Sequence, residues 1–120
     1  MSVNKVVDRK IFYAGQVIFK QGDKGDRAYL VQEGLVEITC MVPGYGEKIL
    51  GTIGKGGIFG EMALIDNQPR MATAVAQEQT TVVVVGLDAF QEKLAKTDPF
   101  IRALLNIFVR NLRQMAKSKG

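Results

Sequence analysis

A succession of short apolar runs separated by glycine-containing turns extends from Lys10 to Val85 and constrains the fold more than any other feature. The runs occupy residues 11–13, 17–19, 28–31, 35–39, 48–53 and 80–85. Short runs at this spacing favour an antiparallel sandwich or barrel over a parallel α/β sheet. The run 80–85 contains four consecutive valines and predicts a strand buried on both faces, since a one-sided strand would alternate.

The pattern changes at Asp88, after which the sequence predicts two helices. Asp88 is expected to cap the first helix, with Phe90 and Leu94 on one face. Asp98 and Pro99 are expected to begin the second helix. An amphipathic stripe on that helix comprises apolar residues spaced by three or four positions: Ile101, Leu104, Leu105, Phe108, Leu112 and Met115.

The length of 120 residues suits one domain with one core. We predict an N-terminal arm or short helix over residues 1–9, followed by the domain over 10–120. Within that domain, strands are expected over about 10–87 and helices over about 88–117. No second-domain boundary, low-complexity linker or long-period repeat is visible in the sequence.

Several classes of protein are disfavoured by composition. No apolar run approaches the roughly 20 residues of a membrane span, and the N-terminus has no signal-peptide core. Cys40 is the only cysteine, so the sequence fits a reducing, cytoplasmic location. The chain has no histidine, which argues against the commonest metal sites and most triad chemistry.

The net charge of +4 is concentrated near the C-terminus, at Arg102, Arg110, Arg113, Lys117 and Lys119. A basic helical end is one way to contact nucleic acid or an acidic partner. The alternative is a solvated helix face whose cations are favoured near the helix C-terminus. We predict the solvated face and expect no nucleic-acid partner for this chain alone.

Two glycine patterns are poor matches to nucleotide-binding enzyme motifs. Residues 54–60 have a spacing one residue too long for GxGxxG and lack a βαβ unit. Residues 51–56 lack the P-loop spacing and the Ser or Thr after the lysine. No nucleophile, catalytic base pair or metal cluster is visible, so we expect that the protein is not an enzyme.

A candidate binding site lies in the stretch that follows Phe59. Gly60 allows close backbone approach, and Glu61–Ile65 is expected to form one or two helical turns whose first amides favour an anion. Arg70 supplies a planar, permanently charged fork for a phosphate. Glu61 can accept a hydrogen bond from a ligand hydroxyl. The alternative is that Glu61 and Arg70 simply form an ion pair at a turn.

The segment FGEMALIDNQPRMATAVA, residues 59–76, resembles the phosphate-binding cassette of cyclic-nucleotide-binding domains. That superfamily includes the regulatory subunits of cAMP-dependent kinase, the bacterial catabolite activator and cyclic-nucleotide-gated channels. The pattern YxGxxIFxxGDxxDxxY over 13–29, the GxVxI pattern over 34–38 and the terminal apolar pattern are also similar. The resemblance implies a mainly β fold with some helix: an antiparallel β-roll or jelly-roll barrel, a short helix inside the cassette and two C-terminal helices.

The resemblance also implies roles for residues of the cassette, as we call residues 59–76. Glu61 and the Gly60 backbone would bind the ribose 2′-hydroxyl. Arg70, with the backbone amides of Ala63 and Met71, would hold the cyclic phosphate. The full set of expected cyclic-nucleotide-binding residues is Gly60, Glu61, Met62, Ala63, Arg70, Met71, Ala72 and Thr73, of which the last two would wall the site.

Base preference is indicated by Met71, where cGMP-selective members usually carry Thr or Ser that contacts the guanine amino group. Methionine offers no donor there. The resemblance therefore favours cAMP as ligand, with cGMP as the alternative and no cofactor. A cap over the purine would come from the last helix, where the polar candidates are Arg110, Asn111, Arg113 and Gln114; Leu112 and Met115 are apolar candidates.

The expected mechanism is a population shift in which the phosphate draws the cassette inward. A hinge near Asp88 to Pro99 would let the Ile101–Met115 helix close as a lid and signal to a separate, unknown effector protein. The alternative is a ligand-sensing fragment of a larger DNA-binding transcription regulator or cyclic-nucleotide-gated channel. Bacterial activators of the family dimerise through this helix, so the resemblance makes a homodimer a candidate assembly.

Overall fold

The computed structural model describes residues 8–117 and contains two four-stranded sheets followed by two helices. The elements are β1 (Asp8–Phe12), β2 (Val17–Phe19), β3 (Arg27–Glu33), β4 (Val36–Val42), β5 (Gly46–Ile53), β6 (Ile58–Phe59), α1 (Glu61–Asp66), β7 (Thr73–Ala76), β8 (Thr80–Gly86), α2 (Leu87–Ala95) and α3 (Pro99–Lys117). Of the arm predicted over residues 1–9, residues 1–7 lie outside the described part, and Asp8 and Arg9 belong to β1.

The two sheets have the strand orders β1-β8-β3-β6 and β2-β7-β4-β5. Every strand pair in them is antiparallel. The strand order within each sheet does not follow the order in the sequence, because the chain crosses repeatedly between the two sheets. The sheets pack around a shared core. This arrangement confirms the predicted antiparallel β-roll, the short helix within the cassette and the two C-terminal helices.

The main core lies between the sheets and consists of Phe12, Tyr29, Val31, Val36, Phe59, Ala74, Ala76 and Val82. Aromatic rings dominate one part of it: the centroids of Tyr29 and Phe59 are 5.1 Å apart, and those of Phe19 and Tyr29 are 6.1 Å apart. Offset aromatic pairs at these distances add to the stability gained from burial. Because Phe59 directly precedes Gly60, this packing anchors the start of the cassette.

The prediction that β8 is buried on both faces is wrong. Val82 is fully buried, whereas Val83, Val84 and Val85 are only half-buried, although Val84 packs against the main core. β8 is a central strand, paired with β1 on one edge and β3 on the other. The run of valines therefore reflects the β-propensity of a central strand as well as burial.

The turns between the strands contain glycines at positions 15, 22, 34 and 56, all of which have positive φ angles, between +86° and +110°. Gly34 is constrained by space as well, because a Cβ there would lie 2.4 Å from Thr80 Oγ1. A residue with a side chain would meet both a strained backbone and a clash at this position. The turn between β3 and β4 therefore requires glycine.

The start of α3 is as predicted, and the start of α2 is not. Asp98 caps α3, since its Oδ1 accepts a hydrogen bond from the Phe100 amide at 2.8 Å. The N-cap of α2 is Gly86, without a side-chain cap, so the prediction that Asp88 caps this helix is wrong. The Leu87 amide instead donates to the carbonyl oxygen of Asp26 at 2.9 Å, and this long-range bond sets where α2 begins.

The apolar stripe on α3 lies beside the face that packs on the domain. The packed face contains the buried residues Val109 and Ala116. Most of the stripe is open to solvent: Phe108 is 53% exposed and Met115 is 65% exposed. Within residues 8–117, no helix is sufficiently long and apolar to cross a bilayer.

Replacement of Phe12 by alanine tests the core. Phe12 is buried between the sheets, and its ring meets Tyr29 edge-on at 6.3 Å. We expect Phe12→Ala to lower the free energy of unfolding by about 3–5 kcal/mol, measured by urea denaturation. The matched control is Tyr13→Ala at the exposed neighbouring position, which should change it by less than about 0.5 kcal/mol. Equal losses in both variants would contradict the assigned core.

Candidate functional site

A cavity of about 260 Å³ lies between the cassette, the sheet that contains β4 and β5, and one side of α3. Residues Gly60–Ala63 and Arg70–Ala72 line it from the cassette. Apolar residues of the sheet, among them Ile38 and Leu50, form another wall. The cavity thus has a polar end made by the cassette and an apolar wall, as is common for small-molecule sites.

Arg70 forms the buried floor of the polar end and is only 6% exposed. Its Nη1 donates to the carbonyl oxygen of Gly60 and its Nη2 to that of Arg27, each at 2.8 Å. The guanidinium carbon lies 4.0 Å from the centroid of the Phe19 ring. Cation–π contact and two carbonyl acceptors therefore hold the charged group in one orientation.

Two glycines leave the space that this guanidinium fills. A Cβ at Gly25 would lie 2.6 Å from both Cζ and Nε of Arg70, and a Cβ at Gly60 would lie 2.8 Å from its Nη1. Gly60 also has a φ of +81°, which favours glycine. The guanidinium is therefore packed between Phe19 and Gly25, with Gly60 at one edge.

The main chain of Arg70 is bound by the turn between β2 and β3. The Arg70 amide donates to the carbonyl oxygen of Asp23, and the Gly22 amide donates to the carbonyl oxygen of Arg70, each at 2.8 Å. The turn is shaped by Asp23, whose Oδ2 accepts a bond from the Lys20 amide at 3.1 Å. Backbone and side chain of Arg70 are thus positioned by the same turn.

Burial and nearby charges act on Arg70 in opposite directions. Burial lowers the pKa of its guanidinium, and Tyr29, Asp26, Asp23 and Glu61 raise it. Within residues 8–117, its Nε is buried without a hydrogen-bond partner. A buried, charged donor without a partner is costly and can be satisfied by an anion. The site therefore suits a negatively charged ligand group.

Glu61 lies at the start of α1 and is half-buried. Burial raises the pKa of its carboxyl, while a bond to its own backbone amide and the charge of Arg70 lower it. The alternative of a Glu61–Arg70 ion pair is not realised among the described residues, because Arg70 donates to carbonyl oxygens instead. A carboxylate in this position is available to accept a bond from a hydroxyl group.

α1 is short, and both of its ends are left-handed. Gly60 is the N-cap, and Asn67 ends the helix with a φ of +56° and an amide bond to the Ala63 carbonyl at 3.0 Å. Its first turn lines the polar end of the cavity, and the first amides of a helix have no backbone partner inside it. We call this end of the cavity, lined by Gly60–Ala63 and Arg70, the anion subsite, because helix amides and a guanidinium favour an anion.

The structure brings together seven of the eight residues predicted for the cassette. All of them except Thr73 line the cavity. The Thr73 hydroxyl accepts a bond from the Gln21 amide at 2.9 Å, and Thr73 pairs with Thr39 of β4. Thr73 therefore connects the β2–β3 turn to the sheet. The binding roles assigned to the seven cavity residues stay predictions.

One of the four polar candidates for a base cap lines the cavity. Arg113 lies at its edge, bound to Asp66 and to the Pro69 carbonyl oxygen. The other three, Arg110, Asn111 and Gln114, are exposed and do not line it. Helix periodicity spreads these four residues over roughly 160° of the circumference of α3, and Arg113 is the one nearest to the packed face of the helix.

Sequence reasoning missed three residues of the site: Phe19, Gly25 and Asp66. Phe19 had the pattern of an ordinary strand residue, and Gly25 had the pattern of an ordinary turn residue. Asp66 lies within residues 59–76, but the sequence indicated no contact for it. Each acts through a partner more than 40 residues away along the chain, which no local pattern could reveal.

The fold and the site define a small-molecule-binding β-roll domain with an anion subsite beside a carboxylate. The chain belongs to the cyclic nucleotide-binding domain family, whose model matches residues 9–97. The resemblance of the cassette and of the first strands to that family is therefore confirmed.

Individual proteins support this assignment. The cyclic AMP receptor protein of Thermus thermophilus is 33% identical over 106 residues, which are 88% of this chain and 49% of that protein. The cAMP-bound form of EAL enzyme Bd1971 is similar with a TM-score of 0.84 at 34% identity, covering 90% of this chain and 29% of that chain. Its cGMP-bound form has a TM-score of 0.83 at 34% identity, covering 92% and 29% respectively.

A kinase regulatory domain is similar as well. The regulatory domain of Toxoplasma gondii PKA, solved with cAMP, has a TM-score of 0.73 at 27% identity, covering 88% of this chain and 39% of that chain. The chain spans about half or less of the length of the curated relatives it matches. The shared part is thus one domain, found in proteins with different additional parts.

The raised pKa of Glu61 predicts a pH-dependent change in stability for Glu61→Gln. A carboxyl whose folded pKa exceeds its ordinary value of 4.5 stabilises the fold fully below that value and loses this contribution as the pH rises through the folded pKa. The glutamine variant should therefore gain free energy of unfolding, relative to the natural chain, from pH 4.5 upward until Glu61 is fully ionised.

Urea denaturation at several pH values between about 4 and 8 measures this difference. The matched control is Glu78→Gln, at an exposed position outside the cavity, whose difference should stay nearly constant with pH. A difference for Glu61→Gln that shrinks as the pH rises would show that the ionised carboxylate is stabilised in the fold.

Proposed function

We propose that this protein binds a cyclic nucleotide, with cAMP preferred, and acts as a regulatory module. The observation that carries this proposal is the buried guanidinium of Arg70, which lines the cavity beside the start of α1 and whose Nε has no hydrogen-bond partner within residues 8–117. A cyclic phosphate carries one negative charge and suits such a subsite. Glu61 beside it provides the acceptor for a ribose hydroxyl.

The proposed contacts follow the cavity. The anion subsite, formed by Arg70 and by the amides of Ala63 and Met71, holds the phosphate, and Glu61 with the Gly60 backbone holds the ribose. The base then lies along the apolar wall that contains Ile38, Leu50 and Met71. An apolar wall against one face of a purine excludes water from that face.

The preference for cAMP rests on Met71. Met71 lines the cavity and packs, as Leu50 does, against the buried cluster that contains Cys40, and it has no hydrogen-bond donor for a guanine. The similar EAL enzyme Bd1971 has been solved in both a cAMP-bound and a cGMP-bound form. The experiment on binding therefore compares both nucleotides.

The output is proposed to pass through α3, which contacts the cassette at Arg113. A shift of the cassette on ligand binding would move α3 about the hinge between α2 and α3 and alter its contact with an effector protein. A regulatory and non-enzymatic role is supported by the regulators among the relatives. The second candidate is the ligand-sensing part of a larger DNA-binding regulator, favoured by the similarity to a CRP-like transcriptional regulator.

A homodimer through α3 is part of the proposal. The exposed positions Ile101, Phe108 and Met115 recur every seven residues, the repeat of a coiled-coil seam. Leu104 and Leu112 widen the same stripe. A continuous apolar stripe that is left open on a long helix is suited to pairing with a second copy of itself.

Titration calorimetry with cAMP and with cGMP tests the binding proposal. We expect cAMP to bind more tightly than cGMP, and Arg70→Ala to weaken cAMP binding by about 2–5 kcal/mol, the usual cost of removing one partner of a buried charge pair. The matched control is Arg9→Ala, an exposed arginine on β1, which should bind like the natural chain. If the alanine variant does not fold, cAMP binding is measured on Arg70→Lys, which keeps the charge.

Failure of the natural chain to bind either nucleotide at millimolar concentration would overturn the proposal. Unchanged affinity in a folded Arg70 variant would mean that the phosphate lies elsewhere.

Sedimentation of two variants tests the homodimer. Phe108→Glu puts a charge into the stripe and should convert the dimer into a monomer, because an unpaired charge is costly in an apolar interface. Ala103→Glu introduces the same charge at an exposed position well round the helix from the stripe and should leave the dimer intact. A natural chain that stays monomeric at high micromolar concentration would exclude this assembly.

A further inference from the structure

The contact between α3 and the cassette is a two-pronged ion pair with an additional hydrogen bond. The Arg113 guanidinium donates to Asp66 through Nε at 2.6 Å and through Nη2 at 3.0 Å. Its Nη1 donates to the carbonyl oxygen of Pro69 at 2.9 Å. All three nitrogens of one side chain therefore bind a single stretch of the cassette.

This pair differs from an ordinary surface ion pair in burial and geometry. The Arg113 and Asp66 side chains are 14% and 18% exposed. Arg27 and Asp26, by comparison, form a contact of 3.7 Å with side chains that are 51% and 70% exposed. Two parallel short bonds between partly buried groups are stronger and less screened than a single exposed contact.

Asp66 also shapes the turn that leads to Arg70. It is the last residue of α1, and its Oδ1 accepts a bond from the Gln68 amide at 3.1 Å. The helix amides that form one half of the anion subsite precede Asp66, and Arg70, the other half, follows it. A movement of either half would therefore pull on the carboxylate that holds Arg113.

A second contact holds the end of α3 near the apolar wall of the cavity. Ala116 is buried in a small cluster with Cys40 and Ala72, against which Met71 packs. The Cys40 thiol donates to the carbonyl oxygen of Ala116 at 3.7 Å. Ala116 lies about one turn beyond Arg113, so the end of α3 is attached at Arg113 and again one turn later.

We propose that Asp66 is a positioning residue that latches α3 onto the cassette through Arg113 and thereby slows ligand release. The proposal rests on the binding function proposed above. The latch consists of protein groups alone, and it joins the loop that contains both phosphate-binding elements to the helix that would cover the ligand. A ligand leaving the cavity needs α3 to swing away, and the pair must break for that to happen.

The kinetic test uses Asp66→Asn and Arg113→Gln. Asparagine keeps an oxygen for the Gln68 amide and removes the charge, so the turn persists while the latch is weakened. Displacement of a fluorescent cAMP analogue in a stopped-flow instrument should show dissociation faster by about tenfold or more, and association should not become slower, because the pair also holds α3 in the free protein. The double variant should dissociate no faster than the single ones, because both remove the same interaction.

Two controls separate a latch from general damage. Asp8→Asn makes the same chemical change at an exposed position on β1 and should leave dissociation unchanged. Arg113→Lys keeps the charge but loses the two-pronged geometry and should give an intermediate rate. Amide hydrogen exchange without ligand should be faster across Val109–Ala116 in Asp66→Asn and unchanged in Asp8→Asn.

The outcomes distinguish this proposal from the binding proposal. If the natural chain binds no cyclic nucleotide, the binding proposal fails, and the exchange measurement alone decides whether the pair holds α3. If the natural chain binds and the folded Asp66 and Arg113 variants release ligand at its rate, the latch is overturned. Accelerations that multiply in the double variant would also overturn it, since the two residues would then act separately.

Discussion

The packing of the Arg70 guanidinium is the interaction on which the site depends, because it joins segments that are distant along the chain. Phe19 of β2 covers one face, Gly25 of the β2–β3 turn leaves room for the other, and the carbonyl oxygens of Gly60 and Arg27 accept from its edges. Any change in the relative positions of these strands would move the charge. The β-roll thus fixes the position and orientation of the buried Arg70 guanidinium.

The same packing lowers the stability of the folded domain. Burial disfavours the charged forms of both Arg70 and Glu61, and one guanidinium donor is buried without a partner in the described part of the chain, residues 8–117. The aromatic cluster of Tyr29 and Phe59 lies beside them and contributes the burial that offsets this cost. Perturbed charges in a cavity of an otherwise well-packed core are typical of binding sites.

α3 has two faces with different physical tasks. One face attaches to the domain, by the buried Val109 and Ala116 and by the ion pair of Arg113 with Asp66. The neighbouring stripe around Phe108 is apolar and exposed. A helix that is bound to the cassette on one side and open to a partner on the other can transmit a change between them. The similarity of this domain to parts of regulators and of an EAL enzyme is consistent with one sensor serving several outputs.

The sequence by itself determined the features that depend on neighbouring residues. Period and turn chemistry predicted the antiparallel strands and the Asp98 cap, because local sterics and hydrogen bonds decide them. The cassette was predicted by its resemblance to a known family. Only the tertiary structure decided that Gly25 packs against Arg70 and that Arg113, among four polar candidates, reaches Asp66. These contacts depend on the rotation of α3 and on the approach of segments far apart in sequence, and neither leaves a local pattern.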